Sequence, residues 1–172
     1  MLAELGLITA VNKVNCIGNK GKLLFSLKED MKRFKDLTTG QMVIMGRKTF
    51  ESLPNQKPLP NRKNVVVTRN KDYKVEGASV VNSVEDALLL ALSDTSIEKA
   101  FVIGGSEIYK EVFQYVDTIY LTEVDDETNG DTYFPVFDYQ EWTVCGKSDE
   151  DIIDESTGLK YRFKVLKHVE TI

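Results

Sequence analysis

Short runs of aliphatic and β-branched residues with little polar alternation constrain the fold of this chain most strongly. They lie at residues 5–11, 42–45, 64–68, 78–81, 100–103 and 118–124. Such runs are typical of strands that are covered on both faces, as in a parallel sheet. We therefore predict a central sheet in which most strands are parallel.

Helical segments separate most of these strands. Ser83 and Asp86 form a capping pattern at the start of a helix that runs to Leu92, and further helices are predicted at residues 49–53 and 106–116. The last part of the chain differs, because residues 142–147 and 159–167 alternate and are separated by a turn sequence at 156–158. That pattern predicts an antiparallel hairpin at the sheet edge. The expected fold class is α/β: one domain over residues 1–172, with a mainly parallel sheet flanked by helices and a C-terminal hairpin.

The segment at residues 12–25 follows the first strand and contains Gly18 and Gly21. We predict a long mobile loop there, and loops of that length usually serve a function.

Charge and cysteine content restrict the class of protein. A net charge of -5 provides no extended basic face for nucleic acid. The two cysteines, Cys16 and Cys145, are expected to be packing thiols in a reducing compartment, since a secreted domain of this size usually has a disulfide framework. The sequence shows neither a signal peptide nor a long apolar span, so we expect a cytoplasmic protein without membrane contact.

One carboxylate falls on the apolar side of a predicted helix. Residues 26–29 have the sequence of a capping box, which predicts a helix from Ser26 to about residue 37. At about 100° per residue, Asp30 lies within the apolar stripe of this helix. The stripe consists of Leu27, Met31, Phe34 and Leu37. Because burying an unpaired carboxylate is costly, Asp30 is either a paired core residue or a pocket carboxylate for a cationic or amidine-like ligand.

Arg47 and Lys48 stand at the start of a predicted helix, where the helix dipole disfavours cations. A bound phosphate would remove this conflict, and the alternative is a solvated basic corner. Thr68 and Arg69 end another strand, at the edge where open α/β sheets bind ligands.

Gly104 and Gly105 join a strand to a helix. Paired glycines allow the backbone to approach a ligand closely, although they also suit a tight turn. The sequence contains neither the G-x-G-x-x-G fingerprint nor a P-loop, which argues against a Rossmann dehydrogenase or a P-loop NTPase. The single His168 is expected at the surface of the last strand, and without Cys/His ligand spacing no metal site is predicted.

Four segments taken together resemble dihydrofolate reductase: VIMGRKTFESL at 43–53, PLPNRKNV at 58–65, VIGGSEIY at 102–109 and DTYFP at 131–135. The resemblance runs in order from about residue 5 to the last strand. It implies NADPH-dependent reduction of 7,8-dihydrofolate to 5,6,7,8-tetrahydrofolate, by hydride transfer to C6 and protonation of N5. Such an enzyme supplies one-carbon metabolism and thymidylate synthesis.

The resemblance also assigns substrate-binding roles. Asp30 would bind the pterin N3 and 2-amino group and promote protonation of N5, with Thr122 supporting it. Arg62 would pair with the glutamate-tail carboxylate as a bidentate fork. The folate pocket would be lined by Ile8, Phe34, Leu53, Leu59 and Ile103. A water molecule admitted by the loop at residues 12–25 would be the proton donor.

The same resemblance assigns cofactor contacts. Gly104 and Gly105 would lie against NADPH. The phosphates would be held by Arg47, Lys48, Thr49, Thr68 and Arg69. The nicotinamide and the active-site loop would involve Ala10, Ile17, Gly18 and Tyr109. Further cofactor contacts would come from Gly46, Ile103, Ser106, Glu107 and Ile108.

Three positions depart from the family pattern. Leu24-Phe25 stands where the family usually has Pro-Trp, so Phe25 keeps the aromatic bulk at a catalytic position but has no N–H donor. Asn61 replaces a Gly and is expected to adopt the left-handed conformation that Asn tolerates. Lys28 replaces a Pro and is expected to be solvated.

Two other readings stay open. One is a reductase of a related pteridine or pyrimidine, against which Asp30 and Arg62 both argue. The other is a non-catalytic binding protein, which Phe25 would favour and which the buried acid and the basic cluster argue against. The expected partner in either enzyme reading is a small-molecule substrate, and the expected assembly is a monomer.

Overall fold

The computed structural model describes residues 2–169, which contain twelve strands and four α-helices. The strands are β1 (Glu4–Asn12), β2 (Cys16–Asn19), β3 (Lys22–Leu23), β4 (Met42–Gly46), β5 (Lys63–Val67), β6 (Ala78–Val81), β7 (Lys99–Val102), β8 (Thr118–Val124), β9 (Thr132–Tyr133), β10 (Trp142–Lys147), β11 (Ile152–Ile153) and β12 (Lys160–His168). The helices are α1 (Lys28–Thr38), α2 (Arg47–Glu51), α3 (Val84–Ser93) and α4 (Ser106–Val112).

The main sheet has the strand order β10-β12-β8-β1-β7-β4-β5-β6, with β11 paired to β12. The pairs from β8 through β1, β7, β4 and β5 to β6 are all parallel. The strands β12 and β10 are antiparallel to their neighbours at the opposite edge. The predicted α/β class, with a mainly parallel sheet and an antiparallel C-terminal edge, is confirmed.

Neighbouring residues of the central strands enter different cores. Met42 and Ile44 of β4 belong to one apolar cluster, whereas Val43 and Met45 belong to another. Successive side chains of a strand point to opposite faces, so both faces of the sheet are covered. This is why the strand sequences are apolar without alternation. The first cluster includes residues of α3 and α4, and the second includes Phe50 of α2.

The α3 boundary follows the predicted capping pattern. The Ser83 hydroxyl accepts a 3.1 Å hydrogen bond from the Asp86 backbone N–H, which satisfies one of the free donors of the first turn. The predicted helix at 106–116 divides instead into α4 and a 3₁₀ turn at Phe113–Tyr115.

The prediction that residues 12–25 form one long loop was wrong. The segment contains β2 and β3, which form a small antiparallel sheet with β9. The buried Asn12 side chain stabilises the turn between β1 and β2, because its oxygen accepts hydrogen bonds from the N–H groups of Val14 (3.2 Å) and Cys16 (2.9 Å). These strands are short and pair with distant residues, so their local sequence gives a weak signal.

The predicted capping box at Ser26 was also wrong. Leu27 is the N-cap residue, in an extended conformation, and it is almost fully buried against Val124 and Tyr161. That burial places the helix start after Leu27. The Ser26 hydroxyl lies 3.3 Å from the Met31 sulfur, and Met31 is 59% exposed rather than part of the buried stripe.

The C-terminal hairpin differs from its prediction in one respect. The strands β10 and β12 pair antiparallel as expected, but the turn at residues 156–158 joins β11 to β12. Within residues 2–169 both cysteines are unpaired; Cys16 is buried, whereas Cys145 is exposed and not a packing residue. His168 is half-buried, and its ring packs edge-on against Trp142 at 5.1 Å. Residues 2–169 contain no helix that is both long and apolar enough to cross a membrane.

Candidate active site

Several of the predicted site residues lie at the carboxyl ends of the parallel strands, whereas Arg62 directly precedes β5. Ala10 lies late in β1, Gly46 ends β4, and Thr68 and Ile103 directly follow β5 and β7. Strand β7 is inserted between β1 and β4, and the next strand, β8, is added on the other side of β1. Ligand sites of open α/β sheets lie at such a switch in strand order.

Asp30 and Thr122 are in direct contact. The Thr122 hydroxyl donates a 2.6 Å hydrogen bond to Oδ1 of Asp30. Thr122 is 2% exposed and lies in β8 between Ala10 of β1 and Phe163 of β12. Burial raises the pKa of Asp30, while the Thr122 hydrogen bond and the charge of Arg33 lower it in part.

The apolar residues predicted for the folate pocket come from several elements. Leu53, Leu59 and Ile103 pack against one cluster, which consists of Val43, Met45, Phe50 and Val66. Ile8 of β1 and Phe34 of α1 are both half-buried. The predicted lining residues are therefore partly sheltered side chains that belong to β1, α1 and the segments after α2 and β7.

Arg62 is fixed by two hydrogen bonds just before β5. Its Nε donates to the Pro60 carbonyl at 2.8 Å, and its Nη1 donates to the hydroxyl of the buried Thr38 at 3.2 Å. Burial lowers the pKa of Arg62, as expected for a half-buried cation. Asn61 has φ 60°, as predicted for the position where the family usually has Gly.

The backbone is more closely surrounded at Gly104 than at Gly105. The Gly46 N–H donates to the Gly104 carbonyl at 2.9 Å. A Cβ atom at Gly104 would lie 3.4 Å from the Thr49 hydroxyl and 3.5 Å from that of Tyr109, and φ at Gly104 is +130°. At Gly105 an added Cβ would meet only Thr49, at 3.6 Å, within the described chain. Gly105 is thus the more open of the two positions, and a cofactor could approach its backbone closely.

The predicted phosphate-binding cations do not all have the same environment. The helix α2 begins at Arg47, two residues earlier than predicted, and Arg47 forms a 3.0 Å ion pair with Glu51. Lys48 and Arg69 are exposed. The Thr68 hydroxyl accepts a 3.2 Å hydrogen bond from the Asn70 N–H. The structure thus leaves Lys48 and Arg69 accessible, whereas Arg47 is held by Glu51.

The remaining cofactor candidates lie on β2 and α4. Ile17 and Gly18 are buried in β2, and a Cβ at Gly18 would lie 2.9 Å from the Lys22 carbonyl oxygen. On α4, Ser106 and Ile108 are half-buried and Glu107 is exposed, while the buried Tyr109 donates from its hydroxyl to the Ile8 carbonyl at 2.9 Å.

Phe25 lies between β3 and α1 and is half-buried. It packs against the cluster formed by Leu27, Val124 and Tyr161. Its ring therefore contributes to the apolar packing around the start of α1, where it offers no hydrogen-bond donor.

Three residues near the site were missed by the sequence analysis. Asn64 is buried in β5 and bonds both backbone groups of Leu59, at 3.0 and 2.9 Å; an Asn in an apolar strand was its signal. Glu51 lies four residues after Arg47, a spacing that predicts a helical ion pair. Arg33 lies three residues after Asp30, a spacing that makes the two side chains neighbours on a helix.

Comparison with known proteins agrees with this geometry. The family model described as dihydrofolate reductase matches residues 4–168. The chain is 40% identical over 156 residues to dihydrofolate reductase of Bacillus subtilis (91% of this chain, 89% of the relative). It is 36% identical over 159 residues to the enzyme of Staphylococcus aureus (92% and 94%).

Among solved structures, the fold matches dihydrofolate reductase from Enterococcus faecalis, complexed with NADP(H) and RAB-propyl. The TM-score is 0.86 at 34% identity, and 96% of each chain is covered. The resemblance stated from the sequence is confirmed, and the chain belongs to the dihydrofolate reductase family, whose members reduce dihydrofolate with NADPH.

Proposed function

We propose that this chain reduces 7,8-dihydrofolate to 5,6,7,8-tetrahydrofolate with NADPH, and that Asp30 is its pterin-binding carboxylate. The observation that carries the proposal is the partly buried Asp30 held by Thr122 at the carboxyl ends of the parallel strands. A carboxylate has about four acceptor positions, so one bond from Thr122 leaves room for the pterin N3–H and 2-amino donors. In this role Asp30 orients the pterin and stabilises positive charge as N5 is protonated.

The tail of the substrate is assigned to Arg62. Its guanidinium is pre-oriented by Pro60 and Thr38, which lowers the entropy cost of pairing with a carboxylate. The apolar body of the substrate is assigned to the surface between Ile8, Phe34, Leu53, Leu59 and Ile103. The proton for N5 is assigned to a water molecule admitted by the segment at residues 12–25, rather than to Asp30 itself.

Cofactor binding is assigned to the opposite side of the site. The accessible cations Lys48 and Arg69, together with Arg47, are the groups that would favour a cofactor with an additional phosphate. Gly104 and Gly105 provide backbone that a cofactor can approach closely, since neither carries a side chain and Gly105 is only half-buried. NADPH supplies the hydride when bound, and the chain's own residues orient both ligands and exclude water.

The setting of the reaction belongs to the same proposal. We assign one domain to residues 1–172, a monomeric state and a cytoplasmic location. The unpaired state of both cysteines within residues 2–169 supports a reducing compartment. The acidic net charge of -5 supports a small-molecule partner rather than nucleic acid.

The test is NADPH oxidation with dihydrofolate, for the wild type and for Asp30→Asn, at several pH values. We expect turnover in the wild type and a loss of about 10²-fold or more in the variant. A folded wild type that binds both ligands without turnover would contradict the proposal and favour the binding-protein reading. Binding of NADPH without dihydrofolate would instead indicate a different pteridine or pyrimidine substrate.

A further inference from the structure

Arg33 is a partly buried cation for which the proposed reaction has so far given no role. It lies on α1, one helical turn after Asp30, and its Nη1 is enclosed without a hydrogen-bond acceptor among residues 2–169. An enclosed N–H group without an acceptor costs free energy, more so on a charged group. Other interactions must therefore offset the burial of this guanidinium.

The ring of Phe163 provides one of these interactions. The guanidinium carbon of Arg33 lies 4.3 Å from the ring centroid, within the range of a cation–π contact. Phe163 is the residue of β12 that lies opposite Thr122 of β8 in the strand register. The ring that holds Arg33 is thus next to the residue that holds Asp30.

Each of the two charged residues also influences the ionisation of the other. Burial raises the pKa of Asp30, and Arg33 is the charged group that acts to lower it. Conversely, burial lowers the pKa of Arg33, and Asp30 is the first of the groups that raise it. Each residue therefore favours the charged form of the other.

The other ionisable groups around Asp30 do not supply a positive charge. Tyr120 of β8 faces Arg33, and Tyr161 of β12 faces Asp30; burial raises the pKa of both phenols, so they are neutral at neutral pH. Glu29 of α1 and Asp154 before β12 both act on Tyr161 as negative charges. Arg33 is therefore the cation in the immediate surroundings of Asp30, as far as residues 2–169 are concerned.

We infer that Arg33 is a positioning residue of the active site, a counter-charge that Phe163 holds behind Asp30 and that keeps the Asp30 carboxylate ionised for the pterin. The inference rests on the proposed pterin-binding role of Asp30. It does not require Arg33 to touch the substrate, and it predicts that charge at position 33 matters more than hydrogen-bonding capacity.

The test is the titration of Asp30 in folded protein with carboxyl-labelled aspartate, followed by NMR, with Asp30→Asn to assign the signal. Arg33→Met should raise the Asp30 pKa by about one unit or more, as expected on loss of a nearby opposite charge. Arg33→Lys should restore most of the difference because it keeps the charge. Arg33→Gln should not, because it keeps only donors.

The matched control is Lys32→Met, which removes one charge from the exposed side of the same helix. We expect it to leave the Asp30 titration within about 0.3 units, since exposed charges are screened. An unchanged titration in Arg33→Met, or an equal shift in Lys32→Met, would overturn the inference. If Arg33→Met does not fold, Phe163→Leu applies the same test, with a smaller upward shift expected.

Measurements of turnover distinguish a failure of this inference from a failure of the proposed function. If the wild type reduces dihydrofolate, the pH profile of kcat/KM should move with the Asp30 titration in Arg33→Met and return in Arg33→Lys. If the wild type lacks turnover while the titration moves as expected, the pairing of Arg33 with Asp30 holds and the proposed function fails.

Discussion

Thr122 and Asp30 are 92 residues apart in sequence, and the Thr122 hydroxyl donates a 2.6 Å hydrogen bond to Oδ1 of Asp30. Asp30 comes from the first helix and Thr122 from a strand beside the centre of the sheet. The bond joins these two elements at the point where burial raises the Asp30 pKa. It opposes that effect, because a donated hydrogen bond favours the ionised carboxylate.

Thr122→Val should remove this bond with little change in shape. We expect the Asp30 pKa to rise further and kcat/KM for dihydrofolate to fall about tenfold at neutral pH, the typical cost of one hydrogen bond to a charged group. Thr118→Val is the matched control. Thr118 is on the same strand, and its buried hydroxyl has no acceptor within the described chain, so its loss should cost no activity. Equal losses in both variants would contradict the assigned role of Thr122.

Asp30→Asn should stabilise the fold at neutral pH while it lowers activity by about 10²-fold or more. Since the Asp30 pKa is raised in the folded state, the folded protein binds this proton more tightly than the unfolded chain does. Binding of this proton to Asp30 therefore stabilises the fold fully below the ordinary pKa of 3.8. This stabilisation is lost as pH rises through the pKa of Asp30 in the folded protein. The variant, which stays neutral, should unfold at higher denaturant than the wild type at pH values above that pKa.

The difference in the free energy of unfolding between Asp30→Asn and the wild type should decrease on acidification, as measured by urea unfolding at matched pH values. Asp36→Asn, on the exposed side of α1, is the control and should change the free energy of unfolding by no more than about 0.5 kcal/mol. A wild type that is more stable than Asp30→Asn at neutral pH would show that burial does not dominate at this carboxylate.

The parallel sheet could be predicted because strands that are buried on both faces have continuous apolar sequences. Ala78–Val81 and Thr118–Val124 have the predicted bounds, and the other central strands differ by one residue or two. β3 could not be found in the same way, because Lys22 and Leu23 are both exposed. Its existence depends on β2, which in turn pairs with Thr132–Tyr133 more than a hundred residues later.

Asp30 could be singled out because a helix has a fixed period and a buried carboxylate conflicts with its apolar face. The helix start could not, since it depends on the packing of Leu27 against Tyr161 from the last strand. The spacing of three residues makes Arg33 a helical neighbour of Asp30, but it does not determine where the guanidinium lies. A long side chain can bend back over a neighbouring ring, and here the contact with Phe163 decides its direction.

Arg62→Leu should weaken dihydrofolate binding and leave NADPH binding unchanged. Loss of a charge-assisted pair with the tail carboxylate should cost about tenfold to a hundredfold in dissociation constant. Lys63→Leu is the control, because this adjacent cation bonds Asp94 and Ser96, whereas Arg62 bonds Thr38. Direct titration with each ligand measures the effect, and equal weakening of both ligands by Arg62→Leu would exclude the assigned role.

NADPH should stabilise the protein against heat more than NADH at equal concentration, because the ligand that binds the folded state more tightly raises Tm further. Arg69→Ala should reduce the NADPH shift and leave the NADH shift unchanged, with about a tenfold loss in NADPH affinity. Lys71→Ala removes a nearby exposed cation and should have little effect. Equal stabilisation by the two cofactors in the wild type would contradict phosphate recognition by Arg47, Lys48 and Arg69.

Asn64→Ala should remove the support of the backbone at Leu59 and Arg62, two residues that are assigned to folate binding. The buried Asn64 amide accepts from the Leu59 N–H, and donates to the Leu59 carbonyl at 2.9 Å and the Arg62 carbonyl at 3.1 Å. The truncated side chain leaves these backbone groups unpaired, so we expect a loss of about 1–3 kcal/mol in the free energy of unfolding. Because Leu59 and Arg62 lose their common support, KM for dihydrofolate should rise while NADPH affinity stays the same.

The control for Asn64→Ala is Asn70→Ala, whose exposed side chain accepts a hydrogen bond from the Asp72 N–H in a surface turn. That change also removes a bond to the backbone, but far less burial is involved, so its cost should stay below about 1 kcal/mol. Urea unfolding and steady-state kinetics on both variants distinguish the cases. If Asn64→Ala loses stability while KM for dihydrofolate is unchanged, the amide supports the sheet only, and the position of Arg62 depends on Pro60 and Thr38 alone.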